Sequence, residues 1–216
     1  MTGKTIVFEG IDGSGKSTMS LRLKNHLGDT AIHTKHPGAT ILGQKIRHLV
    51  KHDPEVTIDR YTEQILMLAD LTSFTNQIHK PALEEGKIVI CDRSNLIGGL
   101  AYGYAAGKLD SRFLELQKMI ETPRIDLLII YLCKWEIAKK RIQTRATLDK
   151  IESRGDTYFE AVSNAYTEIS RPLSTLWDNA LHLMRNWERP HSIQFIDAEQ
   201  SEEKVWEDTL KLKYDI

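Results

Sequence analysis

Gly10-Ile11-Asp12-Gly13-Ser14-Gly15-Lys16-Ser17 constrains this chain more than any other stretch. It satisfies the pattern G-x-x-x-x-G-K-[ST], and Thr18 follows. The apolar run Ile6-Val7-Phe8 precedes it, and Ser17–Leu27, with helical spacing, follows it. A strand, a glycine-rich turn and a helix in that order form a phosphate cradle. Glycines reach backbone conformations closed to other residues, so successive amides can point at one anion. The positive end of the helix dipole faces the same place. Lys16 is expected to neutralise the β and γ phosphates of ATP, and the Ser17 hydroxyl to hold Mg2+. Gly10, Gly13, Ser14, Gly15, Lys16, Ser17 and Thr18 therefore make the expected ATP site.

Four more short apolar runs follow: Ala31 to Thr34, Ile88 to Cys91, Leu127 to Leu132 and Ile193 to Ile196. Between them lie stretches with helical periodicity, at Ile41–Val50, Ile58–Leu83, Glu136–Arg145, Tyr158–Met184 and Glu202–Leu212. Continuous apolar strands alternating with amphipathic helices predict an α/β fold, a parallel sheet with helices on both faces. Ligands of such sheets bind at the carboxyl ends of the strands. Three runs end there in an acid: Glu9, Asp92 and Asp197. The 216 residues suit one domain over 1–216. The polar segment 144–155 reads as a lid.

Lys+Arg at 29 against Asp+Glu at 30 leaves a net charge of -1, so no general hold on nucleic acid or membrane is expected. Phosphate chemistry must come from local clusters. Cys91 and Cys133 both end apolar runs and form no C-x-x-C. With no signal-peptide pattern and no run near a membrane span, the reading is a cytoplasmic protein.

Asp92-Arg93 closes its strand as a metal-binding carboxylate would, with Arg93 placed to grip an acceptor phosphate bidentately. Arg141 and Arg145, four apart, share a helix face, and Lys150 and Arg154 continue the basic supply. A transferring phosphoryl group needs such cations, and the glycine-rich loop itself offers only Lys16. Catalytic roles are thus expected for Lys16, Arg93, Arg141 and Arg145. The Asn-Lys-x-Asp guanine reader is missing, which leaves a small-molecule kinase as the best class.

From here the chain resembles the thymidylate kinase family over nearly its whole length. Phe8 to Thr18 resembles the family's opening almost residue for residue. Thr34-Lys35-His36-Pro37-Gly38-Ala39-Thr40 is similar to T-R-E-P-G-G-T. Lys80-Pro81-Ala82-Leu83, Gly86 and Val89-Ile90-Cys91-Asp92-Arg93 are similar to K-P-A-L…G…V-I-x-D-R. Lys140-Arg141, Arg145, Leu148 to Glu152 and Tyr166 resemble the bacterial-type lid, and Ile196-Asp197-Ala198 the closing strand. The resemblance implies a P-loop fold with five parallel strands, phosphorylation of dTMP to dTDP by ATP with Mg2+, and a homodimer through helices near Ile58–Leu83. It places Asp12 on the sugar 3′-hydroxyl, Arg93 on the acceptor phosphate, Ser17 and Asp92 at the metal, and Arg145, supported by Arg141, on the ATP phosphates.

Several positions depart from that pattern. The family's F-x-A-x-R, whose aromatic stacks on thymine and whose Arg binds the base carbonyl, falls on Met67 and Leu71. Met can pack on a base more adaptably than an aromatic ring. Lys35 stands for Arg and His36 for Glu, while Tyr102 or Tyr104 stands where a tyrosine crowds the ribose 2′ position. Lys35, Met67, Leu71 and Tyr102 thus join Asp12 and Arg93 as expected substrate residues. Three alternatives stay open: a monophosphate kinase of relaxed base choice, a deoxynucleoside kinase, and a nucleotide-binding switch. Residues 172–191, with Trp177 and Trp187, read as packing surface.

Overall fold

Each of the five apolar runs is a strand. In the computed structural model, which describes residues 3–105, 120–143, 149–171 and 190–212, they are β1 (Lys4–Gly10), β2 (Ala31–Lys35), β3 (Ile88–Asp92), β4 (Leu127–Leu132) and β5 (Ser192–Asp197). They pair in parallel in the order β2-β3-β1-β4-β5. Ile6, Phe8, Val89, Ile90 and Leu128 to Tyr131 are wholly buried, as strands covered on both faces must be. The chain turns to one side of β1 for β2 and β3, and to the other for β4 and β5. The switch point falls at the carboxyl end of β1, where such sheets open a crevice.

The helices are α1 (Lys16–Leu27), α2 (Ile41–Lys51), α3 (Arg60–Phe74), α4 (Lys80–Glu84), α5 (Asn95–Ala105), α6 (Trp135–Gln143), α7 (Asp156–Ile169) and α8 (Glu202–Lys211) among the described residues. Side chains mark several starts. Thr40 accepts the Gly43 amide at 3.0 Å, and Asp59 accepts those of Tyr61 and Thr62. Helix α1 has no side-chain cap, since Gly15 stands at its N-cap, and this leaves its first amides open at the glycine-rich turn. The stretch Ile58–Leu83 is α3, a π-helical segment Thr75–His79 and α4 in succession. Helix α5 was not read from sequence. Its Gly98, Gly99 and Gly103 are poor helix formers.

Candidate active site

At the exit of β1 the backbone turns on glycines. Gly10, Gly13 and Gly15 have φ of 145°, 85° and 86°. A methyl group on Gly13 would stand 2.5 Å from the Ala138 carbonyl oxygen, so the loop packs directly on α6. Lys16 is buried beneath the loop, its Nζ donating to the Ile11 carbonyl at 3.3 Å and lying 3.8 Å from the Asp12 carboxylate. Burial, then the nearby Arg93 charge, lowers its ammonium to about 8 against the pull of Asp12, Asp92 and Glu9.

Across the mouth of β1 stands Arg93, the one non-glycine residue among those described with positive φ, 78°. That conformation is costly for a side-chain-bearing residue and is held by its surroundings. Its amide donates to the Phe8 carbonyl at 2.9 Å. Its guanidinium donates to the Gly10 carbonyl at 3.1 Å, to Asp12 at 2.5 Å and to the Tyr102 hydroxyl at 3.1 Å. Tyr102 in turn donates to the other Asp12 oxygen at 2.9 Å. Burial works against the Asp12 charge, yet Arg93, Lys16 and Lys51 outweigh it and hold this carboxyl far below its ordinary range.

Glu9 lies under this frame, fully buried. It accepts from the Ser94 amide at 2.7 Å, the Gly98 amide at 3.2 Å and the Tyr166 hydroxyl at 2.8 Å, and sits 3.6 Å from Arg93. Burial raises its carboxyl despite those partners. A methyl group on Gly98 would rest in ordinary contact with Glu9 at 3.5 Å. Asp92 is also buried, and its Oδ1 has no hydrogen-bond partner among the described residues. A buried, unpaired carboxylate oxygen in the same cleft as Lys16 and the exposed Ser17 fits a cation's donor set.

Cradle and frame share one cleft of about 510 Å³. Lys35, His36, Arg47 and Lys51 line it on one side, Tyr102 and Gly99 on another, and Arg60, Glu63, Gln64 and Met67 of α3 on a third. Residues 149–154 close over that third wall. Lys51 binds Asp149 at 2.7 Å, Lys150 donates to the Val56 carbonyl at 2.8 Å, and Arg154 pairs with Glu63. His36 is buried on the Asp70 carboxylate at 3.3 Å. Burial alone would depress its imidazole, but Asp70 and the Cys91 thiol raise it to about 9. Behind the loop a second groove runs along Gly13, Ser14, Thr18, Arg141, Gln200 and Val205.

A family model described as "Thymidylate kinase" matches residues 8–187. The chain belongs to the thymidylate kinase family. It is 35% identical to a thymidylate kinase of Caldicellulosiruptor saccharolyticus over 175 residues, 79% of this chain and 84% of that one. It is 30% identical to one of Pseudomonas putida over 213 residues, covering 96% and 93%. The solved thymidylate kinase of Ehrlichia chaffeensis shares the fold at a TM-score of 0.69 and 24% identity, over 98% of both chains. Members of this family are kinases.

Against the family's pattern, most of the residues expected from sequence meet in the cleft: Asp12, Gly13, Gly15, Lys16, Ser17, Thr18, Lys35, Met67, Asp92, Arg93 and Tyr102. Gly10 lies at the end of β1, with its carbonyl on Arg93. Ser14 faces the rear groove. Leu71 does not line the cleft. It is buried in the core, because α3 turns its next helical step inward. Arg141 also stands apart from Arg93. It donates to the Ala198 carbonyl at 2.8 Å and lines the rear groove, so it meets the loop from the other side. Asp197 faces neither opening and instead accepts the Glu199 amide in the turn after β5. Arg145, residues 144–148 of the lid, the Tyr104 side chain, Trp177 and Trp187 lie outside the described residues. The structure adds Glu9, Arg47, Lys51, Arg60, Gln64 and Tyr158. The 60/63/64/67 spacing was the one available signal for the wall of α3.

Proposed function

We propose that this thymidylate kinase family member transfers the γ-phosphoryl group of ATP to the 5′-phosphate of dTMP, giving dTDP and ADP. The observation that carries the reading is the Arg93 guanidinium, fixed against the Gly10 carbonyl in the same cleft as Lys16. A forked cation set beside a triphosphate cradle is a grip for a second phosphate. An oxygen of the acceptor phosphate attacks the γ-phosphorus while the bond to the ADP oxygen breaks. That anion needs no general base, which agrees with Lys35 and His36 rather than a carboxylate lining the cleft at the end of β2. Lys16 and the amides of α1 neutralise the donor, and Arg93, Lys35 and Arg47 the acceptor. Asp12 and Tyr102 stand where the sugar would lie. Arg141 and the rear groove suit the nucleoside end of ATP.

Ser17 and Asp92 would hold Mg2+, which supplies charge neutralisation between the phosphates. Residues 1–216 act as one domain with a lid over 144–155. Pairing of two copies is supported by exposed Ile41, Leu42, Tyr61 and Ile65 on α2 and α3. Cytoplasmic residence fits two buried free cysteines. Among the described residues no helix is long and apolar enough to cross a membrane. A coupled ADP assay with ATP and either dTMP or thymidine tests the reading. Turnover of dTMP is expected, and turnover of thymidine alone would reject it.

A further inference from the structure

Helix α3 presents Arg60, Glu63, Gln64 and Met67 to the cleft. The steps of three, one and three residues put them on a single stripe. One turn further on, Leu71 is in the core, so the stripe ends at Met67. Its charged members are engaged within the chain. Glu63 pairs with Arg154, and Arg60 lies 5.5 Å from the centre of the Tyr158 ring. The half-buried Gln64 amide, by contrast, has no hydrogen-bond partner among the described residues. It sits one turn from Met67, whose thioether suits the flat face of a base. An amide group carries one acceptor and two donors on a single edge.

We propose that Gln64 is the residue that reads the edge of the acceptor's base, and that it accepts 4-oxo and 4-amino pyrimidines alike. This rests on the reading of the chain as a deoxynucleoside monophosphate kinase. A 4-oxo pyrimidine offers an acceptor at O4 beside a donor at N3. A 4-amino pyrimidine offers the reverse. A half-turn of the Gln64 amide matches either pair. The residue thus selects for a pyrimidine edge without choosing between thymine, uracil and cytosine.

The test is a chemical double-mutant cycle on the full chain. kcat/KM is measured for dTMP and for its difluorotoluene isostere, which keeps the shape and lacks the polar edge, in the wild type and in Gln64→Leu. The wild type is expected to prefer dTMP about tenfold, the worth of one or two net hydrogen bonds. That preference collapses toward unity in Gln64→Leu. A second comparison, dCMP against dTMP in the wild type, is expected to give kcat/KM values within about threefold of one another. An undiminished preference in Gln64→Leu, or a wild-type preference for dTMP over dCMP of about a hundredfold or more, overturns the proposal while leaving the kinase reading intact. A wild type that turns over no deoxynucleoside monophosphate overturns both.

Discussion

Lys16 works within a tight electrostatic balance. With its ammonium near 8, the free enzyme loses the charge at mildly alkaline pH, so kcat/KM for ATP is expected to fall about tenfold per unit above that value. A pH profile from 6 to 10 checks this, and a flat profile to pH 10 contradicts it. Lys16→Ala should lower kcat by about a hundredfold or more, the scale of losing one preorganised charge partner. Tyr102→Phe leaves the ring in place and removes the hydroxyl that joins Arg93 to Asp12. It should raise KM for dTMP about fivefold to tenfold with little change in KM for ATP. Residues of this kind were legible where chemistry forces a local spacing, as at Lys16 and Asp92-Arg93. Glu9 was visible as a strand-end acid, yet nothing in the sequence announces that Ser94, Gly98 and Tyr166 converge on it. That convergence depends on how α5 and α7 pack, up to 157 positions away along the chain.

The strands were readable because each is a short apolar run with a clear end, while their order in the sheet was not. Helix α5 was hidden by its glycines, a local propensity overridden by tertiary contact. The wall on α3 was half legible. Its periodicity announced a helix, but only packing reveals that Met67 faces the cleft and Leu71 the core. Between elements, the contact of the glycine-rich loop with α6 gives a direct test. Gly13→Ala puts a methyl group 2.5 Å from the Ala138 carbonyl oxygen at a φ of 85°. Backbone strain alone costs about 1–2 kcal/mol, and α6 must also shift. The variant should melt several degrees lower and lose ATP affinity more than dTMP affinity, by calorimetry of each nucleotide. Equal losses for both would place the fault elsewhere.

For the whole molecule, two buried histidines set opposite pH limits on stability. His79, bonded to the Thr5 hydroxyl at 2.8 Å, is pushed down by burial and by the His36 charge to about 4. The unfolded chain therefore takes up a proton between about 6.5 and 4 that the folded chain refuses, and stability falls as pH drops through that window. His36, raised to about 9, acts in reverse. Its contribution is complete below about 6.5 and is lost as pH rises through 9. Melting temperature against pH should be domed, with the acid limb shallower in His79→Gln and the alkaline limb shallower in His36→Gln. At roughly 2–4 °C per kcal/mol for a chain of this size, both limbs are measurable.

The frame of Asp12, Arg93 and Tyr102 is built from the ends of β1 and β3 and from α5, while the wall of Arg60, Glu63, Gln64 and Met67 belongs to α3. If the proposed roles hold, substitutions on α3 redraw which nucleobase is welcomed without touching Lys16, Asp12 or Arg93. A lineage carrying this scaffold is free to drift in diet while keeping its chemistry, and laboratory selection for unnatural nucleotides should start on that single helix.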